Sequence, residues 1–437
     1  MILTLLNIFK VPDLKKRIYF TLFALIVFRF GAHIPLPGIN SLALSEFFNT
    51  PSGNLLSFFN TFSGGALSNL SIFALGVLPY ISASIIMQLM IAVFPFLERL
   101  SKDGGDVGRQ KITNYTRYFA IFLSLIQSIG ITAGIRAMTS PTGQPIVLDT
   151  ISSIMFSGIA IVTLTTGTAF VMWLGEQISE RGIGNGISLI IFAGIVADIP
   201  SGLFSTLELF SGGEITIFAL LIICFIIIAV IVSIAFIETA NRRIPIQYPR
   251  RVVGKNVMGG QSSFLPLKIN SSGVIPPIFA SSLLAFPATI LAFLETPWLQ
   301  AIGSELIPGR FWYNFVFVIL IFFFCFFYTA IQFNPIKLSE ELKKYGGVIL
   351  SIRPGKKTAE YINYILTRLT FFGAIYLSLV CVLPSILYNL FSVPFFFGGT
   401  ALLIVVGVSL DTANQVETQL VHQNYDGFMK KKASNKY

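Results

Sequence analysis

Long apolar stretches separated by short basic segments run the length of the chain. Hydrophobic runs near 17–36, 71–97, 115–136, 151–175, 186–206, 215–238, 271–293, 312–333, 361–390 and 395–411 each predict a membrane-spanning helix, because roughly 20 apolar residues cross a hydrocarbon core of about 30 Å. A membrane β-barrel would instead show shorter segments of alternating polarity, and lipid leaves the backbone no third way to pair its polar groups. Basic residues set the orientation. They cluster at Lys10, Lys15, Lys16 and Arg17, at Arg99, Lys102, Arg109, Lys111 and Arg117, and within 242–268, 337–368 and 430–436. Each cluster falls at a terminus or in an even-numbered connection, which predicts that both termini are cytoplasmic. Residues 31–97 and 137–180 contain no Lys or Arg, and Arg29, Arg136 and Arg310 are the expected exceptions on the external side.

Ten spans divide into two sets of five. Because five is odd, the second set would enter the membrane from the opposite face, an arrangement that permits an inverted repeat with a site between the halves. The expected division is an N-terminal half over 1–206, a C-terminal half over 207–411 and a cytoplasmic tail over 412–437. Composition agrees with a membrane protein: 54% of residues are hydrophobic and 11% are charged. The first apolar helix has no small-residue cleavage site after it and reads as part of the mature protein. Cys224, Cys325 and Cys381 lie in apolar stretches and read as small buried residues without a disulfide framework.

Polar mass collects in two connections, about 239–270 and 334–360. The first holds two strand-like runs that suggest a cytoplasmic hairpin, and the second a short amphipathic helix followed by the basic turn "SIRPGKKT". Both loops satisfy the positive-inside rule and could touch anionic lipid. They are also longer than orientation requires, which suits a docking surface for a soluble anionic or RNA-containing partner.

Several chemistries find no support. "RPGKKT" lacks the upstream glycine of a phosphate-binding loop, so ATP hydrolysis is not expected. The two histidines, His33 and His422, are far apart and predicted on opposite sides, which argues against a histidine metal site or proton relay. The central thirds of the second and of the fourth to tenth spans are read as free of ionisable side chains, which weakens ion-coupled transport of a small solute. What remains unusual is uncharged: Ser, Gly, Asn and Pro at helix ends, and aliphatic pairs four residues apart, Val77 with Ile81 and Ile187 with Ile191. Such pairs mark one stripe of a helix. They could be ordinary core or lipid-facing residues, or part of a hydrophobic constriction that stops ions by dewetting.

Six motifs are more specific: "GAHIPLPGI" at 31–39, "FSGGALSNLSIFALGVLPYISASIIMQLM" at 62–90, "ERGIGNGISLIIFAGIV" at 180–196, "LPLKINSSGVIPPIFASSLLAFPATI" at 265–290, "IRPGKKTAEYI" at 352–362 and "FGGTALLIVV" at 397–406. Together, in this order and over essentially the whole chain, they resemble the bacterial SecY family of protein-conducting channel subunits. The resemblance implies an all-α fold of ten helices in two halves, closed like a clamshell around an hourglass pore, with a lateral gate toward lipid between the second and third and the seventh and eighth helices. It implies a mid-membrane ring of Val77, Ile81, Ile187, Ile191, Ile278 and Ile404. The external plug would comprise Leu55, Leu56, Ser57, Phe58, Phe59, Asn60, Thr61, Phe62, Ser63, Gly64 and Gly65. Ser82, Gln88, Gln127 and Ser282 would line the gate seam. Arg242, Arg243, Arg250, Arg251, Arg353, Lys356 and Lys357 would dock the ribosome or the SecA ATPase.

The implied partners are SecE, SecG, SecA, the ribosome, unfolded polypeptides bearing signal peptides, and membrane lipid. No cofactor, no metal, no enzyme activity and no direct nucleotide binding are expected, and the implied location is the bacterial cytoplasmic membrane. A secondary transporter and a membrane scaffold without a conduit are the alternatives. Within 62–90, "SGG" reads as a flexible hinge, Pro79 as a helix bend between two constriction residues, and "SASIIMQ" as a gate face.

Overall fold

The computed structural model describes residues 11–40, 43–44, 60, 63–137, 146–147, 152–213, 216–248, 251–253, 256–258, 262–292, 305, 310–391 and 399–434. Twelve helices of eight or more residues are described: α1 (Pro12–Gly31), α2 (Leu78–Val93), α3 (Pro95–Asp103), α4 (Gly105–Ala137), α5 (Ser153–Arg181), α6 (Gly186–Ser211), α7 (Ile217–Thr239), α8 (Ile275–Ala292), α9 (Phe311–Gln332), α10 (Pro335–Lys344), α11 (Lys356–Phe391) and α12 (Gly399–Ser434). Among the described residues, seven of the helical runs are long and apolar enough to cross a membrane, or eight if α2 and α3, bent by 101° at Phe94, form one broken span. The molecule is a multi-pass membrane protein. A helix overlaps each of the ten predicted spans, though α1 opens on the polar sequence "PDLKK" and α2 is only 16 residues long.

Three expectations change. The predicted span 71–97 is helical only from Leu78, and residues 64–77 are turns apart from Ser71, which bridges to Pro35. Pro79 therefore does not bend a helix. It sits in the first turn of α2, where its missing N–H has no partner to lose and its fixed φ suits helix initiation. Cys325 and Cys381 are buried, but Cys224 faces outward from α7.

One large apolar cluster joins α1, α2, α5, α6, α7, α8, α9, α11 and α12. α4 attaches to it through α2 and α5, where Ala83 meets Ala120, Leu123 and Met172. A second cluster, with Leu36, Leu67, Leu70, Ile146 and Leu164, packs the segment after α1 against the turns before α2. Backbone bonds tie the same parts together: Leu36 N–H to the Leu70 carbonyl, Ile72 N–H to that of Ile34, and Asn40 N–H to that of Ile146, all within 2.9–3.0 Å.

The 239–270 connection forms the expected hairpin. β1 (Asn241–Gln247) pairs antiparallel with β4 (Ser262–Lys268) in the register Ile244 to Leu265, and β2 (Arg251–Val253) pairs with β3 (Asn256–Met258) between them. The sequence did not indicate that the other basic loop joins this sheet. β5 (Val348–Ile349) pairs with β1 through Ile246 to Ile349, giving the order β4-β1-β5. Under the sheet Ile244, Ile246, Leu267, Leu342, Ile349, Ile362 and Leu366 form one small core, so the two loops and the start of α11 are a single body. Beyond β4, Asn270 is buried and fully satisfied: its amide donates to Glu238 Oε1 at 2.6 Å and to the Gly273 carbonyl at 3.0 Å, and it accepts from Ser272 Oγ. This joint ties the end of α7 to the start of α8.

Ile246→Asp puts an unpaired charge into that small core. It is expected to speed tryptic cleavage in 239–270 and 334–360 together by roughly tenfold or more, the effect of about 1.4 kcal/mol of local stability, while the membrane helices stay resistant. Cleavage of one loop alone would show that they do not share a core.

Candidate pore constriction

The six aliphatic residues singled out in the sequence all belong to, or pack against, the main cluster that runs through nine helices. Val77, Ile81, Ile191 and Ile404 are buried, and Ile187 and Ile278 are partly buried against them. They share a further feature that the sequence did not reveal: all lie at the starts of their helices. Val77 is the N-cap of α2 and its carbonyl accepts the Ile81 N–H at 3.0 Å. Ile187 and Ile191 lie in the first two turns of α6, Ile278 in the first turn of α8, and Ile404 in the second turn of α12.

Local chemistry fixes each start. Asn185 caps α6, its Oδ1 accepting from the N–H groups of Ile187 and Ser188. Gly186 lies against α5, where a Cβ would stand 1.9 Å from the Gly175 carbonyl oxygen, so only glycine permits this crossing. α2 starts where it does because the chain before it is held in turns by its own serines. Ser63 Oγ accepts the Leu67 N–H, Ser71 Oγ accepts the Phe73 N–H, and the Ser68 hydroxyl donates to the Gly65 carbonyl. Asn60 accepts the N–H of Gly65 on its carbonyl and that of Ser68 on its side chain. Both Ser63 and Ser71 are buried.

The glycines of "SGG" are accordingly conformational requirements. Gly64 has φ +66° and Gly65 φ +80°, the left-handed region that other residues disfavour. A Cβ on Gly64 would also stand 2.5 Å from the Gly194 Cα of α6. On the other side Arg29 donates from Nη1 to the Gly64 carbonyl. The segment expected to be a loose hinge is thus held on several sides. Of the expected plug, Asn60, Ser63, Gly64 and Gly65 are placed here, whereas Leu55, Leu56, Ser57, Phe58, Phe59, Thr61 and Phe62 lie outside the described residues.

One sequence expectation fails outright. The fifth span was read as free of ionisable side chains at its centre, yet Asp198 is the thirteenth of the 26 residues of α6 and is half-buried. Its carboxylate lies beside Gly65.

The expected gate residues sit on packed helices. Ser82 and Gln88 are on α2 and Ser282 is on α8, which packs against α2, while Gln127 is on α4, which packs against α2 from another side. Gln88 reaches Ser84 Oγ at 3.5 Å, and its Oε1 is buried with no partner among the described residues. Of the basic candidates, Arg242 and Arg243 project from β1 and are exposed, as are Arg353, Lys356 and Lys357. Arg250 lies outside the described residues, and Arg251 starts β2. The turn bearing Arg353 is tightly built: Ser351 has φ +66°, the Arg353 carbonyl accepts Thr358 Oγ1 at 2.9 Å, and Ser339 of α10 donates to the Gly355 carbonyl at 2.6 Å.

The SecY family model matches residues 71–413. The chain belongs to the SecY family. Protein translocase subunit SecY of Aquifex aeolicus is 46% identical over 424 residues, covering 97% of this chain and 98% of the relative. Two solved structures share the fold of this SecY-family chain. One, described as the structure of a protein conducting channel, has a TM-score of 0.65 at 18% identity over 93% of each chain. The other, Sec61 in the canine ribosome-channel complex from the endoplasmic reticulum, has a TM-score of 0.61 at 16% identity over 93% of each chain.

Within this SecY-family chain, Gly186→Ala is expected to push α6 from α5 and to cost about 1–3 kcal/mol, the usual range for overpacking. A lowered thermal midpoint in detergent would report it, and an unchanged midpoint would show that the crossing tolerates a methyl group.

Proposed function

We propose that this chain is the pore-forming subunit of a protein translocation channel, carrying unfolded secretory polypeptides across the bacterial cytoplasmic membrane and releasing apolar segments sideways into lipid. The observation that carries the reading is that Val77, Ile81, Ile187, Ile191, Ile278 and Ile404, at the starts of four helices, all lie in or against the shared apolar core of a chain of the SecY family. A ring of this kind must close around an extended chain of any sequence. Flexible, uncharged aliphatic side chains do so without binding the passenger, and in its absence they deny ions a continuous file of water.

In this reading ten helices form two halves of five around the ring, both termini are cytoplasmic, and the 63–65 corner is the base of an external plug. The seam between α2 and α8 is the lateral gate. Gln88 bonds only to Ser84 of its own helix, so among the described residues no side-chain hydrogen bond of Ser82, Gln88 or Ser282 crosses this seam, and it can part without breaking one. The fused sheet of the 239–270 and 334–360 loops, with Arg242, Arg243 and Arg353 exposed, presents one basic platform to the ribosome or to SecA. The channel subunit binds no nucleotide itself, so those partners or the membrane potential supply the driving force, and SecE and SecG complete the complex.

Replacing Ile81 and Ile191 with glycine is expected to raise the resting ion conductance of the reconstituted complex; unchanged conductance removes these residues from the ring. A stalled secretory polypeptide is expected to crosslink to photoreactive groups at 278 and 404, and a solute carrier or a scaffold would give no such crosslink. Arg353→Glu is expected to abolish SecA-driven translocation into vesicles while leaving the protein folded, and full activity would remove that arginine from the docking surface.

A further inference from the structure

The face of α6 that bears Ile187 and Ile191 continues through Gly194 to Asp198, because steps of four, three and four residues stay on one side of a helix. The helical rise puts Asp198 roughly 10 Å beyond Ile191 along the axis. The 63–65 corner sits on this outer part. A Cβ on Gly64 would meet the Gly194 Cα at 2.5 Å, and one on Gly65 would lie 3.7 Å from Asp198 Oδ1, so the backbone of the corner rests on α6 with the carboxylate at its edge. Arg29, in the last turn of α1, grips the same corner through the Gly64 carbonyl. Arg29 and Asp198 form no ion pair within 4 Å, yet both border the same two-residue corner. Two opposite charges from different helices therefore meet at one two-residue corner of left-handed backbone. Ionisable side chains within spans are expensive and mark function, and the ring itself needs neither of them.

We propose that Arg29 and Asp198 are positioning residues of the closed state. Arg29 pins the corner through its charge-assisted hydrogen bond to Gly64, and Asp198 is the counter-charge that keeps Arg29 there. Without Asp198, Arg29 would be an uncompensated, partly buried charge drawn toward water and away from the corner. The corner leaves the outer end of the ring-bearing face only when Arg29 lets go, and this hold adds to the apolar seal. The inference rests on the channel reading above, and its test separates the two.

The reconstituted complex is placed in a planar bilayer, and resting ion conductance is measured for the wild type, for Arg29→Gln, Asp198→Asn and their double variant, for Arg29→Lys, and for Ile81→Gly as a control. Arg29→Gln and Asp198→Asn are each expected to raise resting conductance roughly tenfold, the population shift that loss of one charge-assisted hydrogen bond produces. The double variant is expected to leak no more than Arg29→Gln alone, because Asp198 acts through Arg29. Arg29→Lys, which keeps the charge and a donor, is expected to stay near the wild type, an outcome that a loss of packing volume would not give. Wild-type conductance in both single variants, with Ile81→Gly leaking, overturns the latch and leaves the channel reading intact. Strictly additive leaks overturn the coupling of the two charges. If no variant leaks, the control included, the channel reading itself fails.

Discussion

Unwound backbone inside an apolar bundle is the constraint on which this structure turns. Residues 64–77 are not helical, yet they lie among membrane helices where an unpaired N–H or carbonyl costs several kcal/mol. The chain meets the constraint locally. Ser63, Ser71, Asn60 and Arg29 replace the missing helical partners, and the segment after α1 supplies the carbonyl of Ile34 and the N–H of Leu36. Such backbone is tolerated at membrane depth only where protein buries it, and here the glycines of α6 and of the corner let it be buried. The start of α2 and the position of Val77 and Ile81 follow from where these turns end.

The proposed ring, drawn from helix starts, differs from one drawn from helix middles. The first turn of a helix is fixed by its cap and by the chain entering it, so the side chains there are positioned by local chemistry as well as by packing. Asn185 does this for Ile187, and the Val77 cap does it for Ile81. Under the proposed topology α6 and α8 start from the cytoplasmic side while α2 and α12 start from the external side. The four helices that carry the proposed ring thus enter it from opposite sides, two from each.

Much of this was legible in the sequence, and the failures have physical causes. The apolar pattern overlaps the long helices among the described residues because lipid-facing residues must be apolar whatever the packing. It overran α2 because the residues of "LSIFALGV" are as hydrophobic as a helix, although Gly76 has φ +53° and the serines serve as backbone partners rather than as surface. The readable signal was the Ser and Gly spacing upstream of Pro79, a proline that marks a helix start more often than a helix middle. The proposed ring rests on family motifs, since an i, i+4 aliphatic pair is common to cores, lipid faces and constrictions alike. Asp198 stood in plain sight in "GIVADIPSG", and an ionisable residue at that depth warranted a functional reading on sight. The pairing of β5 with β1 was beyond reach because two residues of strand leave no periodicity.

The fused sheet alters how the basic loops relate to the start of α8. Had the 239–270 and 334–360 loops been independent, a partner could move one without disturbing anything in the membrane. They share a core that includes Ile362 of α11, and β4 ends at Lys268, ten residues before Ile278. Between them stands Asn270, with both amide hydrogens and its oxygen engaged, one of them by Glu238 at the end of α7. A buried amide with every bond made resists rotation because breaking any one bond leaves a desolvated polar group. The connection from the basic platform to the first turn of α8 is therefore short and stiff. Displacing the sheet must either carry the start of α8 with it or break that joint, and the first requires no bond to be lost.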